Sequence, residues 1–210
     1  MKHERIKLIV RIVAFGALWG LLEATLGYVL HLVHDYLPGI VMPAIGAAIL
    51  VRFHRESAHR GAVVAVGVVA ALVKAVDFLI PGMNPLRVAN PMLSILIEAL
   101  AMAALLPALS RASEWRRVQL EFGASFGWRI AFILALCVEF WGFGIFSGQL
   151  SGFSTLFEFI VFNGLASGAV WIFVDRLAER VPAALTRPFA KPAFAAGMAA
   201  LALAATYLLS

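Results

Sequence analysis

Cysteine and charge are both scarce in this sequence, and each scarcity excludes a class of protein. Cys137 is the only cysteine in 210 residues, so the chain offers neither a disulfide nor a cysteine metal cluster. Only 14% of the residues are charged, whereas 62% are hydrophobic and occur in long runs. A soluble core of this size cannot bury so many apolar side chains. The length suits a single domain, residues 1–210.

The apolar runs have the length of membrane helices, which need about 20 mostly apolar residues to cross the hydrocarbon core. Seven stretches qualify or nearly qualify: Leu8–Leu32, Pro38–Val51, Gly61–Ile80, Pro91–Leu109, Ala124–Phe146, Phe153–Val174 and Pro192–Leu209. The second contains Pro43 and Gly46, and we expect it to be short, tilted or re-entrant. The sequence predicts an all-α integral membrane bundle of six to seven transmembrane helices. Residues 1–175 form a six-helix core and residues 192–209 an additional helix.

Basic residues alternate between the loops. One set of loops contains Lys2, Arg5, Lys7, Arg11, Arg52, Arg55, Arg60, Arg111, Arg116, Arg117, Arg176, Arg180, Arg187 and Lys191, and the other set contains Arg87 alone. Because Lys and Arg remain on the cytoplasmic side, the N-terminus is predicted to be cytoplasmic, in a multi-pass protein of the cell inner (cytoplasmic) membrane. The basic face is expected to meet anionic membrane lipid. No soluble basic domain exists, so no nucleic-acid partner is expected.

Ionisable side chains within the spans gather toward the outer face. An ion at a helix centre costs at least about 2.5 kcal/mol, so each one needs a reason. The outer parts of five spans hold Glu23, Lys74, Asp77, Glu98, Glu139 and Glu158, with Asn163 deeper. Lys74 and Asp77 are three residues apart and are expected to pair. The inner half is expected to be almost purely apolar, apart from Arg129 near its cytoplasmic edge.

This distribution predicts an acidic ligand-binding cavity that opens outward. Five acids against one lysine favour a cationic or amine-bearing ligand, with protons or a bound cation neutralising part of the charge. The alternative is that each carboxylate caps a helix or reaches the membrane interface individually, which we favour for Glu158. No cofactor is expected.

Two polar and aromatic segments border the same surface. The stretch Pro81–Pro91 carries Asn84, Arg87 and Asn90, either as a lid or ligand contact or as a turn in which Pro91 opens the next helix. Trp141 and neighbouring aromatic residues either stack on the ligand or anchor the helix at the membrane interface. Anchoring is the expected role of Trp128 and Trp171 on the inner side.

The first span ends with His31, His34 and Asp35. Imidazole and carboxylate groups at this spacing can bind a transition metal. The alternative is that these side chains are simply hydrated at the interface.

Small residues recur at intervals of three and four along the first span, at Ala14, Gly16, Ala17, Gly20 and Ala24. They allow close approach of another helix, from this protein or from a partner. With its size, layout and outer polarity, the chain resembles the S component of energy-coupling-factor transporters. That resemblance implies an extracellular substrate pocket, and a transmembrane coupling protein with ATPase subunits that docks on the small-residue face. The seventh span departs from the six helices common in that family.

Three functions follow, in order of preference. The first is a substrate-binding membrane subunit of an uptake transporter, which captures a small vitamin or metal ligand. The second is a stand-alone proton- or cation-coupled secondary transporter. The third is a small integral membrane enzyme with Glu98 or His31 as base. We rank it last, and expect no enzymatic activity, because the sequence offers neither a nucleophile–base pair nor a firm metal triad.

Overall fold

The computed structural model describes residues 2–57 and 59–209, and these residues are almost entirely helical, without a strand. Seven helices are long and apolar enough to cross a membrane. They are α1 (His3–Val33), α2 (Leu37–Ser57), α3 (Gly61–Leu79), α4 (Pro85–Leu109), α5 (Glu114–Phe143), α6 (Phe153–Glu179) and α7 (Pro192–Leu209). A short helix, Ala183–Thr186, and a 3₁₀ turn, Arg187–Ala190, join α6 to α7. The prediction of an all-α fold with seven candidate spans is confirmed.

Several helices begin or end at other residues than predicted, and in α2 and α4 the difference changes an expectation. Helix α2 runs for 21 residues through Pro43, so it is long enough to cross rather than short or re-entrant. Helix α4 begins at Pro85, because Asn84 caps it by accepting a hydrogen bond of 3.0 Å from the Leu86 amide. Pro91 therefore lies inside the helix instead of opening it, and only a short turn remains of the expected loop.

The first six helices form a closed ring of contacts. Helix α1 packs on α3, α3 on α4, α4 on α5, α5 on α6, α6 on α2 and α2 on α1, while α2 also touches α4 across the middle. Helix α7 lies outside this ring, mainly against α1 and α3. Helix α1 ends and α2 begins at the end of the bundle that holds the cavity described below, which we call the cavity end. The opposite end is called the far end.

The small residues of α1 pack against other helices of the same chain. A Cβ atom added to Gly16 would lie 2.5 Å from Cβ of Val69, and one added to Gly20 would lie 2.6 Å from Cβ of Val73. Ala17 packs in a cluster with Val73 and Ala202 of α7. Ala14 and Ala24 are also buried. Of the two expected uses of this face, close approach by a helix of the same chain is the one that the structure contains, at Gly16, Ala17 and Gly20.

Candidate functional site

A cavity of about 400 Å³ opens at the cavity end of the bundle, enclosed by α1, α2, α4, α5 and α6. Its volume lies in the range of small-molecule sites. The wall is formed partly by carboxylate, amide and hydroxyl groups and partly by aromatic rings. Five residues predicted to bind a ligand line it: Glu23, Asn90, Glu98, Glu158 and Asn163.

Three carboxylates from three helices, Glu23, Glu98 and Glu158, line the cavity, and that of Asp35 lies at its mouth. Glu23 accepts a hydrogen bond of 3.3 Å from Nε1 of Trp19, and Glu98 accepts one of 2.9 Å from the Ser94 hydroxyl. Glu98 is 7% exposed and experiences the negative charge of Glu23. The wall, as far as the described residues form it, contains no Lys or Arg. A cationic group inside the cavity would therefore reduce the repulsion between these carboxylates.

Four of the helices around the cavity are irregular at its level. π-Helical turns span Glu23–Gly27 in α1 and Glu158–Phe162 in α6, and a cavity glutamate begins each turn. Pro43 in α2 and Pro91 in α4 also line the cavity. Such turns and prolines interrupt the regular backbone ladder, and π-turns are frequent at functional sites.

The aromatic part of the wall was not predicted. It consists of Trp128 and Phe132 on α5 and Phe159 on α6, whose rings contact one another with centroid distances of 5.9 to 6.3 Å. Trp128 and Trp171 were expected to anchor the inner interface, but they are 6% and 4% exposed and lie inside the bundle. Residues 128 and 132 share a helix face, and that spacing was the available signal.

Arg129 lies directly behind this aromatic wall. Its side chain is fully buried, with the guanidinium carbon 4.5 Å from the centroid of the Trp128 ring and 5.7 Å from that of Phe159. It donates to the Gly39 carbonyl, in the first turn of α2, so its predicted place near the cytoplasmic edge is wrong. The reason is that α5 begins at Glu114, which makes Arg129 a mid-helix residue. Its positive charge acts on Glu98 from outside the cavity wall.

Six other predicted ligand residues do not line the cavity. The predicted pair is confirmed, since Lys74 Nζ lies 2.6 Å from Asp77 Oδ2, with Asp77 buried. The remaining four are Asn84, Arg87, Glu139 and Trp141. Asn84 serves as the helix cap, Arg87 is exposed in the first turn of α4, and Trp141 is 84% exposed.

The proposed metal ligands are only partly brought together. His31 and Asp35 line the mouth of the cavity, with 3.8 Å between Nδ1 and Oδ1, whereas the ring of His34 packs on Tyr36. Across residues 2–57 and 59–209, no three His, Cys, Asp or Glu side chains are close enough to hold a metal ion. The structure therefore lends no support to a metal site at these residues.

Polar groups continue from the cavity toward the far end, contrary to the expected apolar half. The Ser125 hydroxyl donates to the Gly164 carbonyl at 2.8 Å, and Ser167 is buried on α6. Farther along, buried Glu121 and Asp175 share the guanidinium of Arg117. These charges lie on helices because α5 and α6 extend beyond the apolar segments on which the spans were predicted.

Comparisons with known proteins find no matching family, no similar curated protein and no similar solved structure. Function is therefore inferred from the cavity itself.

Proposed function

We propose that this chain is the ligand-binding membrane protein of an uptake system, and that its cavity captures a small amine-bearing or otherwise cationic compound. The observation that carries this proposal is the convergence of Glu23, Glu98 and Glu158 from three helices on one cavity. Carboxylates gathered in a low-dielectric surrounding are costly, and no Lys or Arg lies among these three in the wall that the structure describes. An ammonium group placed among them recovers that cost, whereas an anionic ligand adds to it.

The aromatic wall defines the rest of the ligand. Faces of aromatic rings attract cations and also pack against apolar groups. Trp128, Phe132 and Phe159 lie in the same cavity as the glutamates. A compound with one ammonium group and a ring-sized apolar body, as in several amine-containing vitamins, matches both parts of the wall and the volume of about 400 Å³.

The proposed setting is the cell inner membrane, with the N-terminus in the cytoplasm. The support is the distribution of Lys and Arg, which places the basic loops at the far end of the bundle. In this orientation the cavity end faces outward. The cavity could then receive a ligand from outside the cell.

Two versions of the uptake system differ in their partners. In the first, the chain acts like an energy-coupling-factor S component and needs a coupling protein with ATPases. In the second, it is a carrier that works alone, driven by protons or cations. The packing of α3 and α7 over Gly16, Ala17 and Gly20 favours the second version, because the small-residue face is occupied within the chain.

Binding to the purified protein tests the shared part of both versions. Calorimetry with phenethylamine and benzyltrimethylammonium should give saturable binding, while 3-phenylpropionate, of similar size and opposite charge, should not bind. Glu98→Gln should weaken binding about tenfold, which is the effect of losing about 1.4 kcal/mol. Glu139→Gln is the matched control, since Glu139 does not line the cavity. Equal loss in both variants, or a preference for the anion, would contradict the proposal.

A further inference from the structure

Trp128 lines three cavities that follow one another through the bundle. The first is the acidic cavity, and the second is a chamber of about 10 Å³, large enough for about one water molecule. The third is a groove of about 450 Å³ between α4 and α5. The acidic cavity and the chamber share Pro43, Glu98 and Trp128, while the chamber and the groove share Ala101, Ala124 and Trp128. Trp128 is the one described residue that lines all three, so its indole lies where the three spaces adjoin.

The three cavities lead from one end of the bundle to the other. In α4, Asn90 lines the acidic cavity and Leu105, near the end of the same helix, lines the groove. Arg116 and Gln119, in the first two turns of α5, border the groove at the far end. The groove thus extends from Trp128, in the middle of α5, toward the far end.

The Trp128 ring is held by contacts that it can exchange. It packs on Phe132 and Phe159 and beside the Arg129 guanidinium. Its indole N–H is buried and has no hydrogen-bond partner among the residues that the structure describes. Ring contacts of this kind contribute about 0.5–1.5 kcal/mol each and are less directional than hydrogen bonds. No hydrogen bond from residues 2–57 or 59–209 therefore fixes the indole in its present rotamer.

The groove offers the ring a second position. Gly123 and Gly127 line it, and a Cβ atom on either would meet nothing within 4 Å. Helical side chains lean toward the N-terminus of their helix, so an indole at position 128 can lie over Ala124, which forms part of the groove. Moving there would open the chamber to the acidic cavity.

We propose that Trp128 is the gate of a transport route through this chain, which passes a bound cation from Glu98 through the chamber into the groove. With the indole in its present position the chamber is too small for an organic ligand, so the route is closed. Glu98 and Ser167 both line the chamber and offer oxygen atoms to a passing ammonium group. The proposal rests on the proposed binding function and adds that the chain transports its ligand without a coupling protein.

Uptake into liposomes containing only the full-length protein tests the gate. The probe is benzyltrimethylammonium, whose permanent charge prevents it from crossing the bilayer unaided. Gly127→Leu places a side chain where the indole must move, outside the acidic cavity, and should lower the uptake rate about tenfold while changing binding by less than about twofold. Gly142→Leu is the matched control, on the same helix and also facing open space. It should transport like the wild type.

The outcomes separate the two proposals. Normal binding without uptake by the wild type, or uptake that is insensitive to Gly127→Leu, would overturn the gate and leave the binding function standing. If the wild type did not bind benzyltrimethylammonium, the proposed binding function would be overturned, and the proposed gate with it.

A second measurement needs no ligand and guards against misfolding of one variant. In a Cys137→Ser background, Ser167→Cys places a thiol in the chamber, where Ser167 is 1% exposed. The cationic reagent 2-aminoethyl methanethiosulfonate should label this thiol slowly, faster after Trp128→Ala, and hardly at all after Gly127→Leu. Equal labelling rates in all three backgrounds would overturn the gate.

Discussion

Arg129 of α5 donates a hydrogen bond of 2.6 Å from Nη2 to the carbonyl oxygen of Gly39 in α2. In a regular helix that carbonyl accepts from the N–H group four residues later, but position 43 is a proline and has none. The guanidinium supplies the hydrogen bond that Pro43 removes. One buried arginine thereby fixes the start of α2 against the middle of α5, beside the aromatic wall of the acidic cavity.

This relationship predicts that the effects of changes at positions 43 and 129 on stability are coupled. Pro43→Ala restores a backbone donor to Gly39, so Arg129→Met should destabilise the protein less in the Pro43→Ala background than in the wild type. We expect a coupling free energy of about 1–2 kcal/mol. The measurement is the free energy of unfolding of the four proteins in detergent. Pro107→Ala is the control, because it removes a proline from a different helix, α4. Its effect on the free energy of unfolding should add to that of Arg129→Met. Additivity at position 43 would show that the arginine does not replace the missing donor.

The close approach of α1 to α3 gives a second prediction. A methyl group on Gly20 would lie 2.6 Å from Cβ of Val73, which is impossible without movement of one helix. Gly20→Ala should therefore lower the free energy of unfolding by about 1–3 kcal/mol, the usual cost of overpacking. Gly123→Ala is the control, because its Cβ faces open space and alanine favours the helix. A Gly20→Ala protein with an unchanged melting temperature would mean that the two helices are not in such close contact.

The helices were predictable from the sequence because length and apolarity alone decide which segments can cross a membrane. Their ends were not, since helices can continue past the apolar segment. Helix α5 begins at Glu114, ten residues before the predicted start at Ala124. That extension places Arg129 in the middle of its helix and carries Glu121 into the bundle.

The acidic half of the site was also predictable, because carboxylates within membrane spans are rare enough to be noticed individually. The aromatic half was not. Phe and Trp are common in membrane helices, and only packing decides whether a ring faces lipid or a cavity. Trp128 and Trp141 lie on the same helix, yet the first is 6% and the second 84% exposed.

The orientation of the bundle can be tested with reporter fusions in a bacterial host. The loops at the far end contain nearly all the loop Lys and Arg, and these residues resist translocation. Alkaline phosphatase, which is active only outside the cytoplasm, should be active when fused after Leu209 and inactive when fused after Arg180. Activity in the reverse pattern would place the acidic cavity on the cytoplasmic side and exclude capture from outside.

Arg117 at the far end of α5 provides the last prediction, which concerns charge rather than packing. Its guanidinium contacts Asp175 and, at 2.6 Å, Glu179 of α6, and its Nε lies 3.3 Å from Glu121 Oε1. Glu121 and Asp175 are 1% and 2% exposed, so water cannot replace the lost cation. Arg117→Met should lower the free energy of unfolding by about 3 kcal/mol, as expected when one partner of a buried ion pair is removed.

Two further variants show whether that loss is electrostatic. Arg116→Met removes the neighbouring arginine, which is exposed and donates a hydrogen bond to Gln119, and should cost less than about 0.5 kcal/mol. Asp175→Asn, introduced into the Arg117→Met protein, should recover part of the lost stability, because it removes one of the two acids that have lost their nearest cation. If Asp175→Asn destabilised the protein further, Arg117 would be acting through its packing, and the ion pairs between α5 and α6 would contribute little.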